Sequence, residues 1–268
     1  MTYISLNNGL KMPVLGLGTD FQVGRACINL VYEALKLGYR LFDTAQMYKN
    51  EFEVGQGIKR AIDDGIVKRE EIFLQSKLLA MDYESTKLGI DERLSILGLE
   101  YLDMLLIHYP NPYEKAMWKA LEEGYKEGKL KAIGLSNFIA NYESFVRGCE
   151  IKPMLNQLEV HVFHQRKALY PLMQKDKIVL QAWSPFVVGK NNFFNNEILA
   201  KIGAKYNKSI AQVALRWMIE QEISTIPRTN KSEKLKQNLD IFDFKLDEED
   251  KEQISSLDTN RTYFGWYE

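Results

Sequence analysis

The sequence predicts an α/β fold, a closed (β/α)8 TIM barrel, on three observations. Eight short apolar runs recur along the 268 residues, with helical stretches between them. Several runs, Met104-Leu105-Leu106-Ile107 and Ile178-Val179-Leu180 among them, are apolar at consecutive positions, as strands covered on both faces of a parallel sheet are. The GxGxxG turn of an open doubly wound sheet is absent, because Gly16 and Gly18 are followed by Gly24. Eight strand–helix units in a chain of this length match a barrel, which typically fills about 250 residues.

The elements follow in order. Asn7-Asn8-Gly9 stands between two short extended runs, a β-hairpin signal, and the hairpin is predicted to close the bottom of the barrel. Strands are expected at 14–18, 40–43, 72–77, 102–108, 130–136, 154–158, 178–183 and 223–226. Val54, Ile58, Ala61 and Ile62 lie on one face of a helix, as do Ile210, Val213, Ala214, Trp217 and Met218. Ser209 is placed to cap the second of these, and Gly38 and Gly128 to stop the helices before Arg40 and Leu130. With no linker and no internal repeat, residues 1–268 read as one barrel domain.

Composition narrows the function. Lys and Arg total 35 against 36 Asp and Glu, so a net charge of −1 supplies no field to draw in nucleic acid or an anionic membrane. Cys27 and Cys149 form no CxxC pair, which argues against a disulfide framework and a thiolate metal site. The first ten residues lack the pattern of a secretory leader, and no run approaches the roughly 18 apolar residues of a membrane span. The expected location is cytoplasmic.

Reactive groups in a parallel barrel belong at the C-terminal ends of the strands. The second strand ends in Asp43, with Tyr48 in the loop beyond it; the third ends in Lys77, the fourth in His108 and the fifth in Ser136-Asn137. Gln157 and Glu159 end the sixth, and Trp183-Ser184 the seventh. Singly, each has an ordinary structural role open to it: Asp43 as a turn cap, Lys77 as a solvated strand end, His108 as a satisfied histidine, Trp183 as core. Their convergence on one rim points instead to a site.

The segment from Gly38 to Glu51, with Phe42-Asp43-Thr44-Ala45 and Tyr48-Lys49-Asn50-Glu51 at its heart, is followed by Leu106-Ile107-His108, Gly134-Leu135-Ser136-Asn137-Phe138, Asn156-Gln157-Leu158-Glu159 and Ile226-Pro227-Arg228-Thr229. In this order and spacing the chain resembles the aldo-keto reductase family. The short aromatic tail, with Tyr263, Phe264, Trp266 and Tyr267, is similar to that of the compact microbial branch that includes diketogluconate and methylglyoxal reductases.

The resemblance implies an NAD(P)H-dependent oxidoreductase that reduces aldehydes or ketones, with Asp43, Tyr48, Lys77 and His108 catalytic and no metal. Hydride from the nicotinamide must be matched by a proton at the carbonyl oxygen, the part implied for Tyr48 as general acid. An unperturbed phenol titrates near pH 10, and a neighbouring Lys77 is expected to pull it down toward the working range. Asp43 is then the ion-pair partner of Lys77, and a neutral His108 hydrogen-bonds the carbonyl oxygen.

The same resemblance places Ser136, Asn137, Gln157 and Trp183 at the nicotinamide end of the cofactor, with Thr19 and Asp43 as further cofactor contacts, and Ser184 and Phe186 at the start of the loop over its pyrophosphate. Arg228, Thr229, Asn230, Lys234, Gln237 and Asn238 fall at the adenosine and 2′-phosphate end. NADPH is therefore the expected cofactor, with NADH weaker. Phe21, Tyr48, His108 and Tyr109 are expected to line the substrate pocket. Tyr109 stands where many members carry Trp, Leu79 and Asp20 where many carry an aromatic, and Gln237 where a Glu is common, so pocket and adenine contacts depart from the family pattern. The expected partner is a small carbonyl compound, and the protein is expected to be monomeric. Two other readings are a cofactor-binding regulatory barrel without turnover and a barrel lyase or isomerase for phosphorylated substrates; the complete tetrad and Trp183 beside it favour the reductase.

Overall fold

The apolar runs fold as eight strands of one parallel sheet that closes on itself. The computed structural model describes residues 2–265; Trp266 and Tyr267 of the aromatic tail lie outside the described residues. The hairpin comes first, β1 (Tyr3–Ser5) paired antiparallel with β2 (Lys11–Pro13). Asn7 and Asn8 donate through their side-chain amides to the carbonyls of Pro153 and Lys131 at 2.8 and 3.0 Å. Both carbonyls precede barrel strands, so the hairpin covers the N-terminal end of the barrel.

The barrel strands follow in chain order: β3 (Leu17–Gly18), β4 (Leu41–Asp43), β5 (Phe73–Leu78), β6 (Met104–Ile107), β7 (Ile133–Ser136), β8 (Leu155–Glu159), β9 (Val179–Trp183) and β10 (Ser224–Thr225), with every neighbouring pair parallel. The last seam, between the ends of the sheet, is made by bridges of Leu15 with Thr225 and Gly18 with Arg228, and by hydrogen bonds from Gly16 N to Thr225 O and from Gly18 N to Pro227 O. Closure requires a glycine there, since a Cβ on Gly18 would lie 2.9 Å from the Ile226 carbonyl oxygen.

Helices wrap the strands: α1 (Gly24–Lys36), α2 (Glu51–Asp63), α3 (Tyr83–Leu97), α4 (Glu114–Lys126), α5 (Tyr142–Arg147), α6 (Tyr170–Asp176), α7 (Glu197–Tyr206), α8 (Ile210–Glu220), α9 (Ser232–Leu239) and α10 (Glu248–Ser256). α2 buries Val54, Ile58 and Ala61, and α8 buries Val213, Ala214, Trp217 and Met218, as their spacing predicts. Ser209 caps α8 in a reciprocal box with Gln212, satisfying N–H groups that the first turn leaves free. Gly38 and Gly128 follow α1 and α4 with φ of 102° and 79°, conformations that glycine adopts without strain. Among the described residues no helix is long and apolar enough to cross a membrane.

Candidate active site

Parallel register carries the predicted residues to one end of the barrel. Asp43 closes β4, Lys77 lies near the end of β5, His108 directly follows β6, Ser136 closes β7, Gln157 lies near the end of β8 and Trp183 closes β9. Tyr48 comes from the turn Gln46–Tyr48, which Lys49 ends in the left-handed region at φ 54°. Asn50 fixes that loop by accepting from Thr44 Oγ1 at 2.8 Å and donating to the carbonyls of Thr19 and Gln22.

Lys77 sits at the centre. Its wholly buried ammonium donates to Asp43 Oδ2 at 2.7 Å, to Tyr48 Oη at 3.1 Å and to the Thr44 carbonyl at 3.1 Å, which uses all three N–H groups. Burial alone would push the lysine down, but Asp43 and Tyr48 more than offset it and its pKa is raised, so it is a fixed cation. Tyr48 departs from expectation. Lys77 does act to lower its pKa, yet loss of solvation around the hydroxyl is the larger effect, and Asp43 and Asp20 add to it. The phenol is pushed up to about 12 and stays protonated at neutral pH. Neighbours were legible in the sequence; the balance between a charge and burial was not.

His108 stands edge-on to Tyr48, with ring centroids 6.0 Å apart. Burial and the nearby Lys77 cation bring its pKa down to about 3, so the imidazole is neutral. Asp43 turns its other oxygen into the barrel, where Oδ1 accepts from Gln75 Nε2 at 2.6 Å and Gln157 Nε2 at 2.9 Å. Gln75 and Gln181, which meets both amides, are site residues that sequence reading missed. The available signals were a glutamine two residues before Lys77, on the same face of β5, and a lone polar residue in the apolar run of β9.

Around this centre lie the other candidates. Ser136 Oγ donates to Gln157 O at 3.1 Å, and Asn137, at φ 62°, donates to the His108 carbonyl and to Ser136 Oγ, each at 3.1 Å. Trp183 Nε1 donates to Asn137 Oδ1 at 3.0 Å. Thr19, directly after β3, is buried beside Asp43, its hydroxyl donating to Asp43 O at 2.9 Å. Ser184, Val187 and Val188 follow β9 at φ between 51° and 53°, a strained conformation for the two β-branched residues, and Phe186 packs against Phe193.

Across the rim, Arg228, Asn230 and Lys234 are exposed, Thr229 accepts from Lys231 N, and Gln237 accepts from Lys234 Nζ at 2.9 Å. Asn238 is instead buried beside the Tyr39 hydroxyl. Phe21, 78% exposed, carries the Arg228 guanidinium 4.6 Å above its ring, and Arg228 also reaches Asp20 at 3.5 Å. Tyr109 leans on His108 with 5.8 Å between ring centroids. The tail joins the site through Glu159, whose carboxylate accepts from Thr262 Oγ1 and Tyr263 N, and Phe264 then lies edge-on to Trp183 at 5.1 Å.

Comparison with known proteins gives a consistent result. The model of the aldo/keto reductase family matches residues 16–259. The glyoxal reductase of Bacillus subtilis is 44% identical over 260 residues, covering 95% of this chain and 92% of its own length. An aldo-keto reductase from a Medee basin deep-sea metagenome library superposes with a TM-score of 0.89 at 41% identity, over 97% of this chain and 96% of that one. A Bombyx mori aldo-keto reductase in complex with NADP superposes with a TM-score of 0.91 at 32% identity, over 97% of this chain and 94% of that one.

Proposed function

The chain belongs to the aldo/keto reductase family, and from that premise we propose that it reduces small aldehydes and ketones with NADPH, Tyr48 acting as the general acid. The observation that carries the reading is Lys77 Nζ, 2.7 Å from Asp43 and 3.1 Å from the Tyr48 hydroxyl.

The residues fit a nicotinamide. A hydroxyl and two amides, on Ser136, Asn137 and Gln157, lie side by side at the rim beside the Trp183 indole. Among the described residues no protein group donates to Gln157 Oε1, which leaves an acceptor for the carboxamide N–H groups. Ser136, Asn137 and Gln157 hold the carboxamide in this reading, and Trp183 stacks on the ring. Ser184 and Phe186 face the pyrophosphate, and Arg228, Thr229, Asn230 and Lys234 face the 2′-phosphate. When bound, NADPH supplies a hydride for the carbonyl carbon.

The protein supplies the rest. Tyr48, protonated across the neutral range, gives its proton to the carbonyl oxygen. Lys77 stabilises the phenolate left behind, and Asp43 holds Lys77 in place while balancing its charge. His108, neutral, donates to the same oxygen and orients the substrate. A panel of carbonyl compounds assayed with NADPH and NADH in parallel tests the reading. Loss of nicotinamide absorbance with small aldehydes, faster with NADPH, is expected; no turnover with any aldehyde or ketone would sink it.

A further inference from the structure

The interior of a (β/α)8 barrel is ordinarily packed by branched apolar side chains. Here the layer beneath the site is polar. The strand register aligns Asp43 with Gln75, Gln157 with Gln181, and Gln181 with Ser224, so one level of the barrel carries a carboxylate, three amides and a hydroxyl. All five residues are buried. Gln75 Nε2 donates to Asp43 Oδ1 and to Gln181 Oε1, both at 2.6 Å, and Gln157 Nε2 donates to the same two oxygens at 2.9 and 2.8 Å. Gln181 Nε2 donates at 3.2 Å to Gln75 Oε1 and at 3.2 Å to Ser224 Oγ.

The orientation of every amide follows from one charge. An ionised carboxylate only accepts, so Gln75 and Gln157 must turn their NH2 groups toward Asp43. Gln181 must then turn its oxygen to both, and its nitrogen to Gln75 and Ser224. The remaining end of Gln157, its Oε1, is left as an acceptor that no protein group among the described residues occupies. Removing any member strands buried polar partners, which costs more than the bond itself.

Building on the reductase reading, we propose that Gln75 and Gln181 are positioning residues that couple the Asp43–Lys77 pair to the nicotinamide seat: through one amide network they hold Asp43 in register with Lys77 and fix which end of Gln157 meets the carboxamide. Neither reaches the reacting atoms. Gln75 acts through Asp43, and Gln181 acts through Gln157 and Gln75.

The test uses Gln75→Met and Gln181→Met, unbranched side chains of similar length, with Asp43→Asn in parallel. NADPH binding is titrated by tryptophan fluorescence, kcat and carbonyl KM are measured, and melting temperature shows that each variant is folded at the assay temperature. Gln181→Met is expected to weaken NADPH binding about fivefold, and Gln75→Met to lower kcat about tenfold with carbonyl KM unchanged. Folded variants with wild-type NADPH affinity and kcat overturn the proposal and leave the glutamines as packing. If Asp43→Asn itself keeps wild-type kcat, the catalytic reading has failed; if Asp43→Asn is inactive while both methionine variants match wild type, the coupling alone has failed. Should the methionine variants not fold, side-chain amide spectra of the wild-type protein decide. NADPH is expected to shift the Gln75 and Gln181 signals along with that of Gln157, and a response confined to Gln157 overturns the coupling.

Discussion

The two ends of the candidate site are built on different principles. At the acid–base end, Asp43 and Lys77 are buried, every N–H of Lys77 is used, and each carboxylate oxygen of Asp43 has a donor. At the end proposed for adenosine, Arg228 and Lys234 stand exposed on a loop and the start of α9, held by a 3.5 Å contact to Asp20, the ring of Phe21 and one bond to Gln237. Charges in the first setting interact strongly and cannot relax; in the second, solvent and salt screen them. The contrast teaches where single substitutions act all or none and where they act by degrees.

The sharpest break falls on Tyr48. Tyr48→Phe removes the hydroxyl and leaves the ring, so kcat for carbonyl reduction is expected to fall by about 10²–10⁴-fold, the usual worth of a positioned general acid. NADPH affinity, read by fluorescence titration, is expected to stay near wild type. A variant with more than about half the wild-type kcat would remove Tyr48 from the acid role, given the size of that effect.

Lys77→Met comes next and strikes stability as well as rate. It leaves Asp43 buried with two amide donors and no cation, and breaking a buried pair in this way costs about 3–5 kcal/mol. A fall in melting temperature of roughly 5–15 °C is expected for a chain of this size. The sign of the pH effect follows from Lys77 lowering the Tyr48 pKa: without the cation the phenol rises further, so the alkaline limb of reduction moves to higher pH. An alkaline limb that stays in place would separate the two residues functionally.

What the sequence disclosed divides along the same line. The strands were legible because both-face burial writes a consecutive apolar run, and the rim residues because they stand at strand ends or, for Tyr48, in the loop directly beyond one. Gln75 and Gln181 were not, since their bond joins positions 106 residues apart and depends on closure of the barrel. The rise of the Tyr48 pKa was hidden for a related reason, because burial is a property of the assembled mouth and not of any neighbour in the chain. The grip of Glu159 on Thr262 and Tyr263 likewise exists only after folding.

At the exposed end the expected loss is graded. Arg228→Ala and Lys234→Ala together are expected to weaken NADPH binding by tens-fold, since each charged contact to a phosphate contributes about 1.5–3 kcal/mol at most and screening reduces it. NADH affinity is expected to change little, and raising the salt concentration should reproduce part of the loss in the wild type. Equal affinity of the wild type for NADH and NADPH would show that this segment does not read the 2′-phosphate, even with the acid–base chemistry intact.

Trp183→Ala carries the smallest expected effect and locates the boundary between the two regimes. Trp183 is half-buried, tied to the interior by its bond to Asn137 and to the tail by Phe264. If its ring stacks on nicotinamide, the variant loses about 0.5–1.5 kcal/mol of aromatic interaction beyond the area removed, so NADPH binding weakens several-fold and its quenching of tryptophan fluorescence declines. The bond to Asn137 matters separately, because Asn137 also holds Ser136 and the His108 carbonyl. Trp183→Phe keeps a ring and drops that bond, so it distinguishes the two contributions. Near-normal NADPH affinity in the Phe variant together with weak binding in the Ala variant assigns the effect to stacking and places Trp183 with the adaptable rim. Equal losses in both assign it to the anchored Asn137, and extend the rigid part of the site out to β9.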